Sequence, residues 1–176
     1  MVAHFQDGLS LDGFLEAYAA ALEEHRPLLV RRLRDLLLRN DFSSPVTDIE
    51  LGVFPDETGD GHVSVWCYLQ GPNRRVSRSE PTLFAGKSIQ LTDGMRVPLH
   101  EPDAYGFSTA DASTNAVMQW AESCWREAGG ERYRLPAVIT GHESCCGSGE
   151  MRPLNPAAAV RLAPRRGGRK GSGASI

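Results

Sequence analysis

Apolar and polar side chains alternate most sharply between Val46 and Gln70, with the period of a β-hairpin. In the first arm, residues 46–54, Ile49, Leu51 and Val53 alternate with Asp48, Glu50 and Gly52. In the second arm, residues 62–70, Val63, Val65, Cys67 and Leu69 fall on one face. Ser64, Trp66, Tyr68 and Gln70 fall on the other. A period of two, rich in β-branched and aromatic residues, predicts half-buried strands. Pro55-Asp56-Glu57-Thr58-Gly59-Asp60-Gly61 supplies the turn between them. Two strands alone are marginal in water, so further strands and a helical layer must cover the apolar face.

Before the hairpin the period lengthens to that of a helix. Leu11, Phe14, Leu15, Tyr18 and Leu22 recur at helical spacing, with Ser10 placed to cap and Asp12 in the first turn. Pro27 interrupts the pattern and suits the first turn of a second helix, residues 27–39, whose buried stripe is Leu29, Leu33, Leu36 and Leu37. Arg31, Arg32, Arg34 and Arg39 read as its solvated face. After the hairpin, residues 74–79 are a weak strand candidate, and Asp93-Gly94 between two alternating segments predicts a second hairpin. Pro98 assigns the last arm of that hairpin to a sheet edge. Ser108 and Asp111 resemble a capping box for a helix over 109–128. Ala112, Ala116, Val117, Trp120, Ala121, Cys124, Trp125 and Ala128 form its apolar stripe, and Gly129-Gly130 its stop. A final strand is expected over 132–140.

These elements predict a single α+β domain over residues 1–149. A mainly antiparallel sheet of about five strands should pack against the long C-terminal helix and the N-terminal helical pair. From 150 onward the periodicity ends in Pro153, Pro156, Pro164 and a run of Arg and Gly, so residues 150–176 are expected to form a flexible basic tail.

Charge sharpens this division. The net charge of −3 combines a body, 1–149, with 13 basic and 21 acidic side chains and a tail with six basic and one acidic. The field of an acidic body opposes phosphate backbones, which leaves the tail as the place for weak nucleic-acid contact. No apolar run approaches the ~20 residues of a membrane span. Residues 1–7 lack a basic segment followed by an apolar one, so a cytoplasmic location is expected. Four cysteines, two of them adjacent, in a chain of 176 residues favour reduced thiols over a disulfide framework.

Three stretches carry candidate chemistry. Gly141-His142-Glu143-Ser144-Cys145-Cys146-Gly147 brings an imidazole and two thiols together. His142, Cys145 and Cys146 are the metal candidates, and zinc is the cofactor such donors would take, although their spacing matches no standard zinc finger. The same groups would serve a thiol nucleophile with His142 as its base. Asp56, Glu57 and Asp60 form an acidic hairpin tip without the ligand spacing of a calcium loop. Glu101, Asp103 and Tyr105 lie on the stretch that leads to Phe107, where Tyr105 and Phe107 either tuck onto the core or rim a contact surface. No phosphate-binding Gly-rich loop, dinucleotide fingerprint, nucleophile elbow or His-Glu-x-x-His is present.

Phe54-Pro55-Asp56-Glu57-Thr58-Gly59-Asp60-Gly61, Val63-Ser64-Val65, Leu69-Gln70-Gly71-Pro72 and Trp120 to Gly130 together resemble small uncharacterised bacterial α+β domains. The resemblance covers residues 10–142, and some proteins of that build are immunity partners of toxins. It implies a non-enzymatic protein-interaction domain with a protein partner, its contacts on loops 56–60 and 101–107, and it carries over no catalytic residue. The alternative is a small metal- or thiol-dependent enzyme built on His142, Cys145 and Cys146.

Overall fold

The structure, a computed structural model, describes residues 10–38, 46–54, 62–71, 88–92, 106–141 and 151–162. Helices α1 (Leu11–Glu23) and α2 (Arg26–Leu37) come first, followed by strands β1 (Asp48–Phe54), β2 (Ser64–Gln70) and β3 (Ser88–Gln90). Then come helix α3 (Thr109–Glu127), a 3-10 turn at Gly130–Arg132, strands β4 (Ala137–Gly141) and β5 (Met151–Pro153), and helix α4 (Pro156–Leu162). The α+β class is as expected.

The helix boundaries follow the local chemistry. Ser10 Oγ accepts the Gly13 amide at 3.2 Å, and Ser108 Oγ accepts that of Asp111 at 3.3 Å. Each hydroxyl satisfies one of the amides that a helix start leaves without a partner. Pro27 lies in the first turn of α2, where its missing N–H costs nothing. At the end of α3, Gly129 takes φ 90°, a left-handed conformation suited to glycine. Gly130 then lies against the indole of Trp125, where a Cβ would overlap the ring.

The central hairpin forms in the expected register, with Leu51 opposite Cys67 and Val53 opposite Val65. The sheet runs β3-β2-β1-β4-β5. It is mixed: the antiparallel expectation holds for β1–β2, β2–β3 and β4–β5 and fails for β1–β4. β1 pairs antiparallel with β2 but parallel with β4, Ile49 lying opposite Ala137 and Val53 opposite Gly141. The alternation of β1 specifies which face is buried and is blind to the direction of its second neighbour. Direction is set by α3, which packs on β1 and β4 and returns the chain to the end of the sheet where β1 begins.

Ile49, Leu51, Val53, Val65, Cys67, Leu69, Ala137 and Ile139 of the sheet are buried with Phe14, Tyr18 and Leu22 of α1, Leu29 and Leu33 of α2, and Val117, Ala121 and Trp125 of α3. All three helices therefore share one core.

Residues 151–162 are not a tail. β5 pairs with β4, and Leu154 and Ala158 are buried. Asn155 anchors the segment. Its Oδ1 accepts the amides of Ala137 (3.3 Å) and Ala158 (3.0 Å), and its Nδ2 donates to the carbonyls of Leu135 (2.7 Å) and Tyr133 (3.2 Å). Pro153 is tolerated because β5 is the edge strand, and Pro156 because it opens α4. Two of the three prolines that suggested disorder, Pro153 and Pro156, thus occupy positions where folded structure accepts them; Pro164 lies outside the described residues. The expected strand at 74–79, the Asp93-Gly94 turn and residues 163–176 lie outside the described residues.

Candidate functional site: a groove between two helices

α1 and α3 run in the same direction. Phe107 meets Phe14 edge-on, ring centroids 5.5 Å apart, near their N-terminal ends, and Arg26 bridges Glu23 to Ser123 and Glu127 near their C-terminal ends. On their solvent side they leave a groove of about 610 Å³. One wall is a row of α1 residues spaced by four: Leu11, Leu15, Ala19 and Glu23. α3 supplies the rows Ser108, Ala112, Ala116, Trp120 and Asp111, Asn115, Gln119, Ser123, and Phe107 and Arg26 complete the lining. Rows of this spacing are the ridges of a helix surface, on which alanines between larger residues leave a trough. Ala19, Ala112 and Ala116 are those alanines.

The apolar stripe of α3 is wider than one packing contact needs. Its Val117, Ala121 and Cys124 side is buried in the core, while Ala112 and Ala116 are half-buried at the groove. Trp120 is 5% exposed and lines the groove as well, and its buried indole N–H has no hydrogen-bond partner among the described residues. Leu11 is exposed at the open end.

Arg26 closes the other end as a latch. Its guanidinium makes a two-point contact with the Glu23 carboxylate and donates to Ser123 Oγ at 2.8 Å and Glu127 Oε2 at 3.2 Å. The Glu23 carboxyl is held below its ordinary range by the hydrogen bond from Arg26, and the guanidinium is held more firmly charged by Glu23. Ser123 Oγ donates in turn to the Trp120 carbonyl at 2.7 Å. The latch thus joins the start of α2 to the last turns of α1 and α3.

The outer face of the sheet has a different character. Glu50 accepts from Gln70 Nε2 at 3.0 Å and Thr140 Oγ1 at 2.9 Å, and Trp66 donates its indole N–H to Ser64 Oγ at 3.1 Å. The two bonds to Glu50 link β1 to β2 and β4 and pair the carboxylate locally, and the Trp66–Ser64 bond lies within β2, as in a structural polar network. The two described thiols are equally removed from chemistry. Burial pushes Cys67 well up, and pushes Cys124 to about 11, so neither is a thiolate at neutral pH.

None of the nine residues singled out in the sequence can be placed. Asp56, Glu57, Asp60, Glu101, Asp103, Tyr105, His142, Cys145 and Cys146 lie outside the described residues. Among the described residues there is no group of three or more His, Cys, Asp or Glu side chains that could hold a metal ion. Nor is any described helix long and apolar enough to cross a membrane. Phe107, at the end of the loop that carries Tyr105, is half-buried against Phe14 and serves both as core and as groove wall.

The match of this chain to a known family runs over residues 10–158, from the cap of α1 into α4. The chain belongs to a family of unknown function, DUF6389. The family span takes in both walls of the groove, the Arg26 latch and the Asn155 anchor. No curated protein and no solved structure matches the chain. Two sequence features coincide with the groove, small residues recurring every four positions in α3 and Leu11 in register with Leu15 and Ala19, but neither distinguishes a groove from a core face along the chain.

Proposed function

We propose that this chain is a non-enzymatic protein-interaction domain whose docking surface is the groove between α1 and α3. The observation that supports this reading is the groove itself. It is a trough of about 610 Å³ with a floor of alanine, leucine and aromatic side chains, presented on two helices fixed to the core and latched at one end. An apolar groove between two fixed helices is a recurring docking surface for a segment of a partner protein. The acidic body would complement a basic partner. The test is native mass spectrometry of the protein isolated from its own host. A stoichiometric protein partner should be carried by the wild type and lost from a folded Ala116→Arg variant. A partner retained by that variant places the contact elsewhere and overturns the reading.

A second reading, a metal- or thiol-dependent enzyme using His142, Cys145 and Cys146, draws on the parallel pairing of β1 and β4. Val53 lies opposite Gly141, so β1 and β4 have their carboxyl ends at the same end of the sheet. Carboxyl ends of adjacent parallel strands are a common location for active sites. This reading requires one zinc in the native mass, removed by the Cys145→Ser/Cys146→Ser pair, or an activity abolished by it.

A further inference from the structure

We infer that the groove's occupant is an amphipathic α-helix of three to four turns that carries basic side chains beside its apolar stripe; this rests on the groove being the docking surface. The shape argues for a helix. Both walls are rows spaced by four residues, and a third helix presents a matching row that lies between them. From Leu11 to Glu23 the trough is roughly 18 Å long, the rise of about three and a half helical turns. Helical walls have no free strand edge, so an extended segment would find few partners for its backbone amides and carbonyls. A helix brings its own hydrogen bonds. An apolar row of the partner would lie over Ala19, Ala112 and Ala116, against Leu15 and Trp120.

The charge argues for basic flanks. Glu23 and Asp111 line the groove. Asp12 and Glu16 are exposed and lie one residue beyond Leu11 and Leu15, on the outer lip of α1. Against these four carboxylates stand Arg26 in the lining, already held by Glu23, Glu127 and Ser123, and Arg152 beside the lining, which donates to Asn115 Oδ1 at 2.8 Å and is paired with Glu122. Arg126 and Glu127, one turn beyond Ser123, offset each other. The helix dipoles, about half a charge at each end, add a positive contribution near Leu11 and an equal negative one near Glu23, so they leave the balance unchanged. Lys and Arg on the partner would meet this lip with complementary charge, which raises the association rate and rejects acidic competitors.

The experiment uses the full chain and two fluorescein-labelled synthetic 15-residue peptides. Both carry Leu at positions four apart, one flanked by Arg and the other by Glu at the same positions. Anisotropy titrations in 50 mM salt should give at least tenfold tighter binding of the Arg peptide. That affinity should fall as salt rises, and fall severalfold in Glu16→Gln/Asp111→Asn. Ala116→Trp should abolish binding by filling the trough. Ala19→Arg, at an exposed α1 position, provides the same test if Ala116→Trp does not fold. Equal or tighter binding of the Glu peptide overturns the charge assignment. Binding of the Arg peptide that survives both Ala116→Trp and Ala19→Arg overturns the site. If neither peptide binds, yet Ala116→Arg still releases the native partner, the helical occupant is wrong and the docking surface stands.

Discussion

Asn155 holds four backbone groups with one side chain, tying the strand entry at Ala137 to the start of α4. Removing that side chain takes this partner from the buried Ala137 amide and the part-buried Tyr133 and Leu135 carbonyls, and takes the cap from α4. Asn155→Ala should therefore lower stability by about 2–3 kcal/mol, read as a shift in the urea midpoint. A change under about 0.5 kcal/mol would mean that residues 151–162 are not docked on the sheet. Asn followed by Pro ahead of an alanine run is a helix start, a local signal that three prolines within twelve residues obscure along the sequence. Proline's cost depends on whether the backbone N–H has a partner to lose, and that depends on strand order. The buried thiols give a second test at this scale. In a Cys145→Ser/Cys146→Ser background, Cys67 and Cys124 should resist a thiol reagent at pH 8 in the native protein and react once it is denatured. Rapid native labelling would show that the core around them opens.

At the scale of elements, the latch around Arg26 sets how α1, α2 and α3 meet. Arg26→Gln should cost about 1 kcal/mol, a modest value because both carboxylates are half exposed to solvent. The pH dependence has a defined sign. The Glu23 carboxyl titrates lower in the folded protein than in the unfolded chain, so its contribution is complete above the unfolded value and disappears as pH falls through the folded one. The stability gap between wild type and Arg26→Gln should be full at pH 7 and shrink below roughly pH 4 in paired denaturation curves. A gap that widens with acid would place the favourable interaction of Arg26 elsewhere. The elements themselves were largely legible: the caps at Ser10 and Ser108, the Pro27 restart, the hairpin register and the stop at Gly129 are all local chemistry. The parallel pairing of β1 with β4 was not, because side-chain alternation carries no information on strand direction.

For the whole molecule, the groove follows from how the apolar stripe of α3 is divided. Half of it faces the sheet with Val117, Ala121 and Trp125, and half lines a trough shared with α1. Trp120, a member of that stripe, lies at the boundary and belongs to both. Alanines at core and groove positions look alike along the chain, and only the lateral placement of α1 separates them. The chemistry-bearing loops drew attention instead because clustered charges and thiols stand out in a sequence, whereas the shape of a helix surface does not. The central claim is that the trough, and not the rest of the surface, engages a partner. It is tested most directly by placing a photo-crosslinking amino acid at Ala116, with a control at exposed Arg132, and irradiating cells of the native host. The account predicts a discrete adduct of one partner protein at Ala116, absent at Arg132 and suppressed by Ala19→Arg. Equal adducts at both positions, or an Ala116 adduct unaffected by Ala19→Arg, would contradict it.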